Sequence, residues 1–388
     1  MNIQAQARRI RATRPGVWPL ELEPALPPGP PEFDTRYRRW RISRYDDIRS
    51  LLLSSDVRPV SATETIERME TALGQTFPNL RRFAEGNMVF QTGDRHREQK
   101  QVFLSMMPDL DRVWTQDRLR VELDTRLSAV DPGPVDFYDT LFEALMSAIA
   151  AEQLGLDFAT TRQVVRRSFR AWESFLYVLR ASQYADCEAD LAFVFAHMQS
   201  PPRQGGRQFG QACARGLRDE ELFFISAIWA TTVSYLCAAM RLMAQSDDLQ
   251  EVLAADRRLL ERFLEEVLRV RPSTPVVIPR RPVRDVELAG VTLPAGAMLH
   301  LDIQSAGRDD AVYPEAALVR LDIARSGSLG FSAGAHTCLG QRLARRIALT
   351  VFERLLQCGR YQLRGHEDGN HRTGVALFSA LMVDWQPK

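Results

Sequence analysis

The chain has 388 residues, 45% of them hydrophobic and 26% charged, with a formal net charge of +1. That balance excludes a disordered or fibrous protein and supplies no global field to draw in nucleic acid or an acidic membrane surface. Lys100 and Lys388 are the only lysines among many arginines, which fits codon bias in a GC-rich genome.

The N-terminal run MNIQAQARRIRATRPGVW is polar and lacks the apolar core of a signal peptide. No stretch approaches the ~20 apolar residues needed to span a bilayer, so a cytoplasmic protein without a membrane anchor is expected. Cys187, Cys213, Cys237, Cys338 and Cys358 are odd in number, widely spaced and free of CxxC pairs. They fit a reducing compartment and form neither a disulfide framework nor a zinc site.

Residues 1–35, with prolines clustered in LEPALPPGPPEF, read as an irregular lead-in that wraps the surface. WRISRY (Trp40 to Tyr45) reads as a strand, and DDIRSLLLS as a helix capped by Asp46 or Asp47. Residues 56–90 form a long mixed excursion. From Arg95 to about Asp256 the pattern is mostly helical, interrupted by a flexible basic loop from Ser200 to Gln211. Within it, Leu222 to Met243 is apolar nearly all round, as a helix through the protein centre must be. Leu260, Phe263, Leu264, Val267 and Leu268 recur at helical spacing until Pro272 stops the helix. The period then changes to two. DVEL, VTL and AMLHLDI read as short strands joined by tight turns at Gly290 and Gly296. A glycine-punctuated loop, SGSLGFSAGAHTCLG, leads into a last helix ending at Gly359. The expected architecture is mainly α with a small β region, in a single domain spanning 1–388.

The segment Phe331-Ser-Ala-Gly-Ala-His-Thr-Cys338-Leu-Gly340 carries the chemistry. Cys338 stands at the start of an amphipathic helix in which Leu343, Ile347, Val351 and Leu355 recur every four residues. Unpaired backbone N–H groups and the positive dipole end favour a thiolate there. Gly334 and Gly340 are expected to let the backbone curl round the sulfur without a Cβ clash. Such a thiolate is a strong electron donor to a metal, and in haem proteins it promotes O–O cleavage. A buried structural cysteine is the ordinary alternative for Cys338 taken alone.

The whole segment resembles the haem-binding signature of the cytochrome P450 family: Phe, two residues, Gly, one, His or Arg, one, Cys, one, Gly. Leu343-Ala344-Arg345 matches the usual continuation. The resemblance runs from about Trp40 to Trp385, and 280–314 looks like the bacterial family's β segment. It implies the helix-rich prism of that fold, haem b as cofactor and Cys338 as the iron ligand. Phe331 and Gly340 frame the cofactor loop. Arg280, His336 and His96 match propionate partners, and Lys100 stands where GDRHREQK departs from the family's His-x-x-x-Arg. The i,i+3 pair Glu266 and Arg269 matches the buried structural Glu-x-x-Arg; alone it would read as an exposed ion pair.

The resemblance further implies oxidation of a small molecule or short peptide with O2, by a monomeric enzyme of bacterial natural-product biosynthesis. Electrons would come from a ferredoxin and a separate reductase docking near Arg342, Arg345 and Arg346. The basic loop around Arg203 to Arg207 reads as solvated. No dinucleotide fingerprint appears in the chain. Thr231 matches the catalytic alcohol, but Ala230 replaces the family's acid and Ile228 its glycine. Three readings follow: a monooxygenase with another proton relay, a radical coupling enzyme for aromatic or peptide substrates, or a non-catalytic helper. The expected substrate wall is Met88, Val89, Phe90, Phe223, Ser226, Ala227 and Val277, with Phe175 and Phe378 as further contacts.

Overall fold

A helix of 26 residues, Arg218–Met243, forms the axis of the protein. Asp219, Glu220 and Glu221 occupy its first turn, where carboxylates favour the positive end of the helix dipole. From Glu221 to Ala244 every residue is buried except Ala227 and Thr231. Four apart, these two share a face. The helix is long and apolar enough to cross a membrane by composition, a departure from the expectation that no stretch approaches this, but 83% of that window is buried inside the protein. It is a core helix because Ala144–Leu154 and Phe158–Arg170 pack on it, as do Arg257–Val270 and Gln341–Cys358.

The computed structural model describes residues 10–176, 179–198, 218–325, 327–368 and 374–388. The basic loop at Ser200 to Gln211, with Arg203 to Arg207, lies outside the described residues. Helices dominate. A five-stranded sheet runs in the order Glu32–Asp34, Arg39–Ile42, Leu299–Leu301, Arg280–Pro282, Val57–Pro59. The turns expected at Gly290 and Gly296 are present, with φ of 80° and 76°.

Several expectations need correction. The lead-in is not wholly irregular: Val17–Trp18 pairs with Val319–Arg320, and Glu32–Asp34 with Arg39–Ile42. The excursion at 56–90 holds two helices, Ala62–Leu73 and Pro78–Glu85. Helix Tyr45–Leu53 is not capped by Asp46 or Asp47, which lie in its first turn. Its N-terminal acceptor is instead Asp309, which receives the Tyr45 N–H at 3.0 Å across the fold. The long C-terminal hairpin, Gly359–Asp368 with Phe378–Pro387, was not expected. Its alternation is broken by register shifts at Leu363/Gly365 and Glu367/Asp368.

Glu266 and Arg269 are 2% exposed each, so the bland reading of a solvated pair fails. The guanidinium forks onto the carboxylate at 2.7 and 2.8 Å. Its remaining N–H groups donate to the carbonyls of Gly307, Ala316 and Leu318 at 2.7, 2.7 and 2.8 Å. Glu266 also accepts the Arg320 backbone N–H at 2.9 Å and Arg325 at 3.2 Å. Removing one partner strands a buried charge. Arg269→Ala is expected to destabilise the protein by about 3–5 kcal/mol. Thermal unfolding should show a large fall in Tm, whereas Arg97→Ala, which removes an exposed pair with Asp94, should leave it unmoved.

Candidate active site

The thiol loop is held by short-range bonds. Leu329–Phe331 and Gly334–His336 are single 3₁₀ turns, and the Cys338 backbone N–H donates to the Phe331 carbonyl at 2.9 Å. Gly334 has φ of 71°, and a Cβ there would lie 2.4 Å from the Leu52 carbonyl oxygen. Its role is therefore to dock the loop on helix Tyr45–Leu53, not to clear the sulfur as expected. Gly340 has an ordinary φ of −78°. A Cβ on it would stand 3.9 Å from both Cys338 Sγ and Ile228 Cγ1, inside the cleft between thiol and central helix. Ser332 takes φ of 60° and ψ of −171°, a region almost confined to glycine, and its Oγ is buried without a partner.

Cys338 opens into a cavity of about 180 Å³. The thiol is accessible from the cavity yet deep in the protein, and the depth governs its titration. Burial pushes the free thiol's pKa up, more than the opposing help from the backbone N–H groups of Gly340 and Gln341 and from Arg345. The helix start alone thus does not make a thiolate; a bound cation must complete it.

Thr231 faces this cavity from the central helix, with Val89, Val277, Ile278, Arg280, Phe331 and His336 also in its wall. Met88, Phe90, Phe223, Ser226 and Ala227 are not in that wall. Phe90 and Phe223 pack on Trp172 at 5.5 and 5.8 Å between ring centroids, and Phe90 also meets Phe175. Ser226 is fully buried and shares a 2.7 Å hydrogen bond with Ser168. Met88 is buried in the same core cluster, Ala227 shares the Thr231 face one turn away, and Phe378 packs under Arg271. The wall also contains Tyr235, Ser273 and Thr274, which sequence reasoning missed. The signal for the last two was their position just past the helix-stopping Pro272.

Basic groups converge at the cavity. Arg280 is 5% exposed and, among the described residues, donates only to the Ile278 carbonyl, at 3.1 Å. His96 and His336 lie 4.2 Å apart between centroids with their rings tilted by 44°, and Nε2 of His96 and Nδ1 of His336 are buried with no partner among the described residues. Lys100 donates to the Ala335 carbonyl at 3.0 Å. Burial holds the Arg280 pKa down at about 10. Burial first, then Arg280, His96 and Lys100, holds His336 down at about 3, and burial with Lys100 lowers His96. Orphaned ring nitrogens among uncompensated cations suit a ligand bearing carboxylates. A thiol and carboxylate-binding groups in and beside the wall of one cavity fit haem: Cys338 would hold its iron, and Arg280, His336, His96 and Lys100 its propionates.

The expected docking patch is partly neutralised. Arg345 forks onto Glu265 at 2.6 and 3.1 Å, and Arg346 pairs with Asp111 at 2.8 Å. Among the described residues Arg342 alone of the three has no acidic partner.

Fold and site together define a haem-thiolate protein. The cytochrome P450 family profile matches residues 239–374, which include Glu266, Arg269, Arg280 and Cys338. The chain is 27% identical over 342 residues to the cytochrome P450 monooxygenase PikC of Streptomyces venezuelae, covering 82% of this chain and 77% of that protein. P450BioI, solved with an acyl carrier protein bearing hexadec-9Z-enoic acid, superposes with a TM-score of 0.79 at 16% identity, over 95% and 94% of the two chains. CxnD, described as a P450 for C–S bond formation in chuangxinmycin biosynthesis, superposes with a TM-score of 0.72 at 19% identity, over 90% and 89%. The chain belongs to the cytochrome P450 family, whose members bind haem and act as oxidoreductases.

Two substitutions probe the cleft. Gly340→Val should fill it and lower the haem content of purified protein, read from the Soret-to-protein absorbance ratio. Ser332→Gly should relieve backbone strain of about 1–3 kcal/mol and raise the Tm.

Proposed function

We propose that this protein is a bacterial monooxygenase of natural-product biosynthesis, acting on a small organic molecule or short peptide in the cytoplasm. The carrying observation is the cavity with Cys338 and Thr231 both in its wall. Haem bound there supplies activation of dioxygen, with electrons from a ferredoxin and a separate reductase. The chain's residues set the conditions. The N–H groups of Gly340 and Gln341 point at the sulfur and steady its negative charge. Arg280, His336, His96 and Lys100 fix the orientation of a dicarboxylate ligand. Thr231 donates its hydroxyl proton to the Ala227 carbonyl at 2.7 Å, which leaves its lone pairs free to accept from a guest. Arg342, which has no acidic partner among the described residues, is the cation of that patch offered to a redox partner's acidic surface.

Oxidative coupling of aromatic or peptide side chains is the second reading. The departure from the family's usual acid at Ala230 is the sequence feature that raises it. CxnD offers a fold-level precedent for bond formation, and the carrier-protein complex of P450BioI one for a tethered substrate.

The carbon monoxide difference spectrum of the reduced protein should show the thiolate-shifted Soret band, lost in Cys338→Ala; an unshifted band in the wild type would reject both readings. Product mass then separates them: one added oxygen marks insertion, and loss of two hydrogens marks coupling.

A further inference from the structure

We propose that Thr274 is the proton-relaying hydroxyl of this site, working beside Thr231 where a carboxylic acid is missing; this rests on the monooxygenase reading above. No Asp or Glu occurs between Glu221 and Asp247, and the cavity wall contains no carboxylate among the described residues. Glu221 is ten residues before Thr231, roughly 15 Å along a helix. Ala230 is fully buried and outside the wall, and Trp229 beside it turns away to donate to Ser147 at 3.0 Å. That face of the central helix packs against protein, so an acid there would not reach the cavity directly.

Protons must then pass through hydroxyls. The wall carries five: Thr231, Tyr235, Ser273, Thr274 and Ser332. Three have committed their hydrogen to main-chain carbonyls. Thr231 donates to Ala227 at 2.7 Å, Tyr235 to Leu264 at 2.9 Å, and Ser273 to Thr231 at 2.8 Å. The Ser332 oxygen is sealed from water on a strained turn of the thiol loop. Thr274 is half-buried, lines the cavity and has no side-chain partner among the described residues. It is also tethered: the bond from its neighbour Ser273 to the Thr231 carbonyl pins this loop to the central helix at the residue that matters. The Ser273 carbonyl accepts from Ala376, whose own carbonyl accepts from Ser234 one turn further along the helix. The loop holding Thr274 is thereby closed into a ring of hydrogen bonds on the central helix.

A threonine hydroxyl is too weak an acid to store a charge. It passes its proton to an acceptor in the cavity while taking another from water, and ends unchanged. Insertion of one oxygen atom consumes one O2, two electrons and two protons, with the second oxygen leaving as water. The electrons come from the partner protein. Both protons come from solvent, and Thr274 is their last side-chain carrier.

The test uses haem-loaded protein. Carbon monoxide on the reduced iron is the first probe, because a hydroxyl donating toward it lowers the C–O stretching frequency. Thr274→Val should raise that frequency, and Thr274→Ser should return it. With substrate, Thr274→Val should divert electrons to peroxide and slow product formation on the order of 10²-fold. Thr274→Val with unchanged C–O frequency and unchanged peroxide yield would overturn the proposal, as would a shift produced by Ser273→Ala but not by Thr274→Val. The infrared measurement needs no substrate, so it fails independently of the reaction assigned. A wild-type protein without the thiolate-shifted band would reject the haem-thiolate reading and this inference with it.

Discussion

The thiol loop stands on a buried ion pair. Arg269 has five N–H groups, and all five are used, two on Glu266 and three on carbonyls of the chain between Gly307 and Leu318. Burial of a guanidinium is tolerable only under that condition, since each unsatisfied donor would add a desolvation penalty. The consequence is geometric. One helical residue clamps a stretch of irregular backbone that no sheet or helix would otherwise hold. Glu266 completes the clamp through Arg320 and Arg325, the latter only six residues before Phe331. Close approach follows: a Cβ at Gly307 would lie 1.9 Å from the Arg269 carbonyl oxygen, and one at Gly330 3.0 Å from that of Leu268. The loop that presents Cys338 is thus built downward from a charged pair that does no chemistry itself.

The basic cluster at the cavity obeys the reverse rule. At Glu266 the charges are matched; around Arg280, His96, His336 and Lys100 they are not. A folded protein keeps such a cluster only where something anionic completes it, because like charges disfavour each other and burial disfavours them all. Burial alone lowers the pKa of Arg280, and burial first, then the neighbouring Arg280, His96 and Lys100, lowers that of His336. Matched charge marks the scaffold here, and unmatched charge marks the site.

How much of this was legible in the sequence depended on range. The central helix, the helix stopped by Pro272 and the turns at Gly290 and Gly296 are local, and periodicity with glycine placement revealed them. The residues proposed to hold the cofactor were reached through the spacing around Cys338, and through resemblance for Arg280 and His96. What stayed hidden was set by partners distant in sequence. Asp309 caps a helix beginning at Tyr45, and Val17–Trp18 becomes a strand because Val319–Arg320 lies beside it. Gly334 suggested room for a sulfur, while the real constraint is the Leu52 carbonyl. Phe223 and Ser226 looked like pocket residues because they share a helix with Thr231, but helix phase turns them into aromatic and hydroxyl contacts elsewhere.

Helix phase also changes what the missing acid means. Of the central helix, only Thr231 and Tyr235 enter the cavity wall among the described residues, so the cavity sees a narrow stripe of that helix. Residue 230 lies off the stripe, among neighbours that bind Ser147 and face Phe169. An acid at that place would have to act through intermediate groups, and its absence removes one route without removing the capacity for proton transfer. The cavity instead is rich in hydroxyls, and their donors are allotted one by one to carbonyls. Three of the five are so allotted, Ser332 is sealed from water, and Thr274 is the one left open to the cavity. The thiol side is set by the Glu266–Arg269 clamp and the helix side by Ser273 on Thr231, so the space between them is fixed from both directions before any guest enters.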